Sequence, residues 1–490
     1  MWNALLLYDE QQSFYLHALP FPVQYVSAAL GVVLLGTVFF GLLQLARWLR
    51  RRWGRFWAAP AVFLMILLPA NVVRNVISIR YSSLRVRMIG ALGLHGIMLI
   101  FAAVLAGLLF LLVSLKSRPA RIGILILAQF SPLFAVEIGE SVWRVTEARP
   151  EAYADRALAP IRNPLARRPR VVWIIFDELD YRLLFPERPS SVKMPEFDRL
   201  RAQALTATAA FSPARDTSVS VPSLLAGEQF DVTRGSGPAA LYAGENGLPM
   251  KLFDAGSTIF SDVRQRGGNA AVAGWYLPYC RMFAAELSAC SWYDNGNILN
   301  ITGEGLGGNI ANQTRNLFET SLFSPFGQSL TLKHAVRMVA AMHHDALRIV
   351  VDPSFDLVFL HYPVPHAPHP YDRVKGTFTR ANAGFEGYLD SLALADILLG
   401  EVRAEMTRVG AWDDTTVLVS SDHPYRESRR LDGKDDPRVP FLLKLPGQSA
   451  SVVYDEPLQT LVTRRLIDSV FRGEVTSPTT AVGWLHRLKP

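Results

Sequence analysis

Hydrophobic positions divide this chain into two regimes. Between residues 21 and 142 they come in long runs, 21–46, 57–77, 89–115 and 122–142, broken only by isolated polar residues. Each run exceeds the roughly 18 residues that a helix needs to cross a bilayer. The pattern therefore predicts an all-α region of four membrane-spanning helices within residues 1–142. From residue 170 onward the runs are short. Arg170–Phe176, Phe355–His361, Thr415–Ser421, Val439–Leu445 and the brief Ala270–Gly274 read as strands, the continuous apolar ones buried on both faces. Between them, Leu252–Arg266, Gln328–Ile349, Phe385–Val409 and Leu458–Phe471 read as helices, with Leu389, Leu392, Ile397, Leu398 and Val402 marking an apolar stripe at helical spacing in the third. This alternation predicts an α/β domain over 170–490, a largely parallel sheet with helices on both faces. Residues 143–169, rich in Arg, Ala and Pro, break all periodicity and predict a linker or interfacial segment.

Charge adds an orientation to this picture. The chain is half hydrophobic over 490 residues, with a formal net charge of +7. Its basic residues gather around the apolar runs. Arg47–Arg55 and Lys116–Arg121 fall on one side, which the positive-inside tendency makes cytoplasmic, and both termini then lie outside. Arg80, Arg85 and Arg87 fall on the opposite side and weigh against that orientation. The first 20 residues contain Asp9, Glu10 and His17 and lack the basic flank and cleavage site of a signal peptide, so no removable leader is expected. Polar residues inside the runs (Asn71, Arg74, Asn75, Glu137, Glu140) fit interfacial or interhelical pairing, or a headgroup path. No interleaving of aromatic and basic residues points to nucleic acid. The two cysteines, Cys280 and Cys290, bracket a short loop that a disulfide can close in an oxidising compartment; in a reducing one they stay free thiols.

Candidate chemistry lies at the strand ends. Arg170–Phe176 runs into Asp177 and Glu178, Thr415–Ser421 delivers Asp422 and His423, and Phe355–His361 opens into Pro365-His366-Ala367-Pro368-His369. In open α/β sheets ligands sit where parallel strands end, so these residues predict one shared site. Thr217-Ser218-Val219-Ser220-Val221-Pro222-Ser223 offers hydroxyls without charge, ending at Gly227. An alkyl hydroxyl needs an activator to act as a nucleophile, and a divalent cation is a strong one. Asp177, Asp422 and His423 form an oxygen and nitrogen set suited to zinc, manganese or magnesium, with Glu178 as a further ligand or a helix cap. Gly303–Gly308 invites a phosphate-loop reading that fails, because no apolar strand leads in and no Lys-Ser/Thr follows.

The order of these motifs, with Met194-Pro195-Glu196-Phe197-Asp198-Arg199-Leu200 between the first acid and the hydroxyl run, resembles the alkaline phosphatase and sulfatase superfamily over residues 170–446. Its membrane-anchored branch includes phosphoethanolamine and phosphoglycerol transferases. Aligned on Leu224-Leu225-Ala226-Gly227, the nucleophile position falls on Thr217, and Thr-Ser-Val-Ser-Val-Pro resembles the transferase pattern rather than the Cys-x-Pro-x-Arg of sulfatases. The resemblance implies Thr217 as nucleophile and metal ligand, with Asp177, Glu178, Asp422 and His423 as further ligands. It gives His366 a role on the phosphoryl oxygens or the leaving group, as a cationic donor or acid. It also implies a multi-pass protein of the bacterial inner membrane, its catalytic domain facing the periplasm or exterior, that takes a group from a phospholipid donor to an envelope glycan or lipid acceptor. Pro424 replaces the usual Gly, and no histidine between 424 and 440 supplies a second metal position, so one principal metal is expected. The alternatives are a phosphodiesterase, a sulfatase-like hydrolase and an inactive relative.

Overall fold

The computed structural model describes residues 14–15, 22–54, 57, 99, 155–161, 169–293, 305–311, 327–379 and 384–488. The chain divides into two compact units, Met1–Asp9, Leu19–Arg149 and Asn297–Gly327 in the first and Glu10–Ala18, Pro150–Gly296 and Gln328–Pro490 in the second.

The described part of the first unit is chiefly one long helix, α1 (Pro22–Trp53), which carries the first expected span and ends on Arg50, Arg51 and Arg52. Val33, Leu34, Val38, Phe40 and Leu45 are exposed along it. Counting the described residues alone, no helix is long and apolar enough to cross a membrane. All but single positions of the other expected spans, 57–77, 89–115 and 122–142, lie outside the described residues.

The second unit holds strands β1 (Arg170–Asp177), β2 (Leu205–Phe211), β3 (Val232–Ser236), β4 (Ala240–Gly244), β5 (Lys251–Leu252), β6 (Ala270–Trp275), β7 (Ala289–Tyr293), β8 (Leu357–Pro365), β9 (Tyr371–Asp372), β10 (Thr377–Phe378), β11 (Thr415–Ser421), β12 (Arg438–Lys444), β13 (Val452–Tyr454) and β14 (Leu458–Gln459). The helices that matter below are α2 (Tyr181–Leu184), α3 (Pro195–Ala202), α4 (Thr217–Ala226), α5 (Ile259–Gln265), α6 (Tyr279–Met282), α7 (Gly327–Val351), α8 (Gly384–Arg408), α9 (Arg429–Asp432), α10 (Thr463–Phe471) and α11 (Pro478–Arg487). One nine-stranded sheet runs β13-β2-β12-β11-β1-β8-β6-β7, with β14 also paired to β2. β11, β1, β8, β6 and β7 are mutually parallel, and β12 runs against both its neighbours. The expected mixed α/β layering with a mostly parallel sheet is therefore what forms.

Burial on both faces explains the continuous apolar strands. Along β1, Val172, Ile174 and Phe176 enter one core with Phe197, Met342, Tyr362 and Leu392. Val171, Trp173 and Ile175 enter the opposite core with Val221, Phe260, Phe359, Leu466 and Trp484. A period-two strand thus has no polar face to show. At the bottom of β1, the Arg170 guanidinium donates to Val350, Asp352 and Phe355 carbonyls, covering the orphaned end of α7. The N-terminus of α3 is capped from another helix: Asp396 accepts from the Glu196 and Phe197 amides.

Two expected helices are shorter than their hydrophobic patterns. The 252–266 segment gives β5, a 3₁₀ turn and α5, and the 458–471 segment gives β14, a second 3₁₀ turn and α10. The reason in the first is Asp254, whose carboxylate accepts from Gly256 N and closes a turn before the helix begins. The hydroxyl-rich run is the helix α4, with Pro222 inside it. Proline removes the amide that would bond the Ser218 carbonyl; the Thr233 hydroxyl takes that carbonyl instead, at 2.8 Å. Gly227, in the left-handed region at φ 64°, ends the helix, its amide bonding Ser223 O.

Candidate active site

Three chain elements bring the chemistry together at one sheet edge. β1 delivers Asp177, the turn after β11 delivers Asp422 and His423, and the first position of α4 delivers Thr217. The backbone secures the arrangement. Glu178 adopts φ 64°, a strained turn for a residue with a side chain, and its amide and that of His423 both donate to Asp422 Oδ1, at 3.3 and 2.8 Å. The Ser421 hydroxyl accepts from Leu179 N at 2.9 Å and bonds the Phe176 carbonyl at 2.8 Å, tying the ends of β1 and β11. The Ser220 hydroxyl donates to the Asp422 carbonyl, which fixes α4 on the same turn.

His423 Nδ1 lies 3.0 Å from the Pro424 carbonyl. A carbonyl only accepts, so Nδ1 carries a proton, and in the neutral ring the lone pair then sits on Nε2. That lone pair faces Thr217 Oγ1 at 3.3 Å, Asp177 Oδ1 at 3.4 Å and Asp422 Oδ2 at 3.6 Å. Both Asp177 oxygens and Asp422 Oδ2 are buried and accept no hydrogen bond of normal geometry. Asp177, Asp422 and His423 are fully buried, with Thr217 nearly so. Two carboxylates, a hydroxyl and an imidazole nitrogen therefore converge in a buried space. Such a set is costly unless a cation neutralises it. Among the described residues it is the one group of three metal-binding side chains whose ligand atoms all lie within 4.8 Å of one another. Oxygen and imidazole ligands fit a divalent ion of the zinc, manganese or magnesium kind.

Burial, then the Asp422 and Glu178 charges, push the Asp177 carboxyl well above the usual carboxylate range. Burial works the same way on Asp422, but His423, His361 and its hydrogen bonds outweigh it and hold that carboxyl down. The two carboxyls are thus pushed in opposite directions, Asp177 toward its acid form and Asp422 toward its carboxylate.

The other expected residues sit around this centre. The Glu178 carboxylate is given to Arg426, with Oε1 2.6 Å from Nε, and is not among the three converging ligands. The cap of α2 is Asp180, whose carboxylate accepts from Leu183 N. His366 stands at the end of β8, its amide donating to the Asp177 carbonyl at 3.1 Å and its ring 5.6 Å from that of Trp275. Its Nδ1 bonds the Ala367 carbonyl, leaving Nε2 free. Burial lowers its pKa below the ordinary histidine value, with Glu178 opposing, which works against the expected cationic donor. His361 lies beneath the site with Nδ1 2.7 Å from the Tyr279 hydroxyl, its pKa pushed down to about 4 by burial. His369 meets Ser391 and packs edge-on to Tyr388, a packing role. The Cys280–Cys290 disulfide forms, with Cα atoms 5.4 Å apart.

Two further residues shape the site without standing out in the sequence pattern. Arg426, three residues after His423, bridges Glu178 and, at 3.5 Å, Asp216 at the mouth of the site, with 42 % of its side chain exposed. It puts a fixed positive charge beside the start of α4, where the helix amides without intrahelical partners also favour an anion. The second is Tyr276, which follows β6 at φ 73°.

Known proteins resemble parts of this chain. Residues 345–468 match the Sulfatase family model, a stretch that contains His366, Asp422 and His423 but not Asp177 or Thr217. No curated protein matches the chain. Among solved structures, a phosphonate monoester hydrolase of Agrobacterium radiobacter is 15 % identical, covering 66 % of this chain and 78 % of that one, with a TM-score of 0.43. A sulfatase from Pseudoalteromonas sp. is 13 % identical over 65 % and 72 %, TM-score 0.45. A protein in the alkaline phosphatase superfamily from Vibrio parahaemolyticus is 13 % identical over 64 % and 68 %, TM-score 0.37.

Proposed function

We propose that this chain is a membrane-anchored, metal-dependent enzyme of the sulfatase-like kind that transfers a phosphoryl-linked headgroup through Thr217. The observation that carries the reading is the Thr217 hydroxyl, 3.3 Å from His423 Nε2 and beside the Asp177 oxygens and Asp422 Oδ2, which are buried and accept no hydrogen bond of normal geometry. A divalent ion held by Asp177, Asp422 and His423 would acidify that hydroxyl and offset charge on the phosphoryl oxygens.

The chain's own groups account for the remaining steps. Thr217 Oγ1 forms a bond to phosphorus, and the bond from phosphorus to the departing oxygen breaks in line with it. The proton lost by Thr217 ends on that departing oxygen, and the free Nε2 of His366 is the carrier we assign. The amides opening α4 and the Arg426 guanidinium hold the non-bridging oxygens. An acceptor hydroxyl then attacks phosphorus, the Thr217 bond breaks, and the threonine regains a proton. A phospholipid is the donor and an envelope glycan or lipid the acceptor in this reading. Threonine in the nucleophile position disfavours sulfate esters, since it cannot supply the oxidised cysteine that sulfatases use. The Sulfatase match keeps simple hydrolysis as the second reading.

Incubating the metal-loaded protein with a headgroup-labelled phospholipid in detergent, with and without an envelope glycolipid, tests it. Transfer is expected to move the label to the acceptor. Label found only as free headgroup phosphate makes the protein a phosphodiesterase, and no release with any added metal removes the enzymatic reading.

Membrane anchoring by residues 21–142, in a bacterial inner membrane with the catalytic unit outside, belongs to the same proposal. Its support is the four apolar runs, the exposed apolar side chains on α1 and the disulfide. Cysteines introduced at Asn3 and Lys489 are expected to label equally with an impermeant maleimide on intact spheroplasts; labelling of only one contradicts the four-span topology.

A further inference from the structure

Tyr276 is strained, partly exposed and next to the candidate site. As a non-glycine residue at φ 73° it occupies backbone space that an aromatic side chain rarely adopts, and such strain persists where the surroundings over-determine it. Its amide is tied to the Tyr293 carbonyl at 2.9 Å. The charges that act on its hydroxyl are those of Asp177, Asp216 and Arg426, the metal-side carboxylate and the two charged groups at the mouth. Its ring lies 5.6 Å from that of Trp275, which in turn neighbours His366 at the same distance.

What holds Tyr276 comes from the far end of the chain. Phe14 is fully buried and its carbonyl accepts from Arg281 Nη2 at 2.7 Å. It fills a space that only Gly235 leaves open, since a Cβ there would lie 2.5 Å from Phe14 Cγ. This plug delivers Tyr15 against Tyr276, with ring centroids 5.2 Å apart.

We propose that Tyr276 donates its hydroxyl to a non-bridging oxygen of the tetrahedral anionic ester bound at Thr217, and that Tyr15, from the segment before the first apolar helix, is the positioning residue that aims it. The proposal rests on the reading of the site given above. A neutral donor beside Arg426 recognises oxygen without adding charge, and truncating such a hydrogen bond to a charged group has a measurable effect.

The test uses the full chain in detergent with its metal, inorganic phosphate as probe, and Tyr276→Phe, Tyr15→Phe and Tyr15→Ala. Phosphate affinity by calorimetry and KM for a phosphodiester are expected to weaken about tenfold in Tyr276→Phe, in line with a lost bond to a charged group. Tyr15→Phe is expected to give a smaller loss in both, and Tyr15→Ala a loss like that of Tyr276→Phe. Melting temperatures should stay within a few degrees for the two phenylalanine variants. Wild-type phosphate affinity and KM in all three overturn the proposal and leave the tyrosines as packing. A wild-type protein that neither binds phosphate nor turns over any ester overturns the site reading itself, and this inference with it.

Discussion

Thr217→Ala is expected to remove turnover, by roughly 10⁴-fold or more, which is the scale seen when a covalent nucleophile is deleted. The substitution removes one methyl and one hydroxyl from the first helical position of α4 and leaves the backbone free to stay helical, so loss of folding is not the expected cause. Neighbouring hydroxyls cannot replace it: Ser220 donates to the Asp422 carbonyl and Ser223 to the Val219 carbonyl. Thr217→Ser keeps the oxygen and is expected to keep partial activity. Mass spectrometry of protein quenched during turnover supplies a second readout, since the wild type should carry the headgroup phosphate on the Thr217 peptide and the alanine variant should carry none. An alanine variant with wild-type kcat, or an adduct found on another residue, ends the covalent scheme.

Much of this site is legible in the amino-acid sequence, because its parts end buried strands. β1 and β11 are continuous apolar runs with a carboxylate following, and that pattern has few other meanings in a parallel sheet. Thr217 is legible as a residue, not as a helix start: Pro222 and three serines argue against a helix until Thr233 is seen to take the carbonyl that Pro222 abandons. β2, Leu-Thr-Ala-Thr-Ala-Ala-Phe, escapes because small residues give little hydrophobic contrast, although Ala207 is fully buried between β12 and β13 and Ala210 between β12 and β14. Arg426 and Tyr276 escape for another reason. Their importance lies in what faces them across the fold, Glu178 and Asp216 for the one, Tyr15 for the other, and no local spacing encodes a partner so distant along the chain.

The second large effect separates stability from function. Asp177→Asn is expected to abolish metal binding while raising the melting temperature of the metal-free protein. The carboxyl of Asp177 is pushed above its unfolded value by burial and by Asp422 and Glu178. A carboxyl group with a raised folded pKa makes no demand at low pH, where it is protonated in both states. As pH rises past the unfolded value near 3.8, the unfolded chain releases its proton first and stability is lost until the folded pKa is passed. Asparagine is neutral throughout, and its amide can donate to Asp422 Oδ2, which otherwise accepts nothing. The metal-free wild type should therefore lose stability relative to Asp177→Asn as pH rises past about 4, with a gap of at least a few degrees at neutral pH. Saturating divalent ion should close or reverse that gap for the wild type only, because only the ionised carboxylate is a ligand. Scanning calorimetry at several pH values, with chelator and then with zinc, manganese or magnesium, reads all of this. An asparagine variant less stable than the metal-free wild type across the range would show that Asp177 is a structural acid already satisfied by the protein, and the cation site would have to be sought elsewhere.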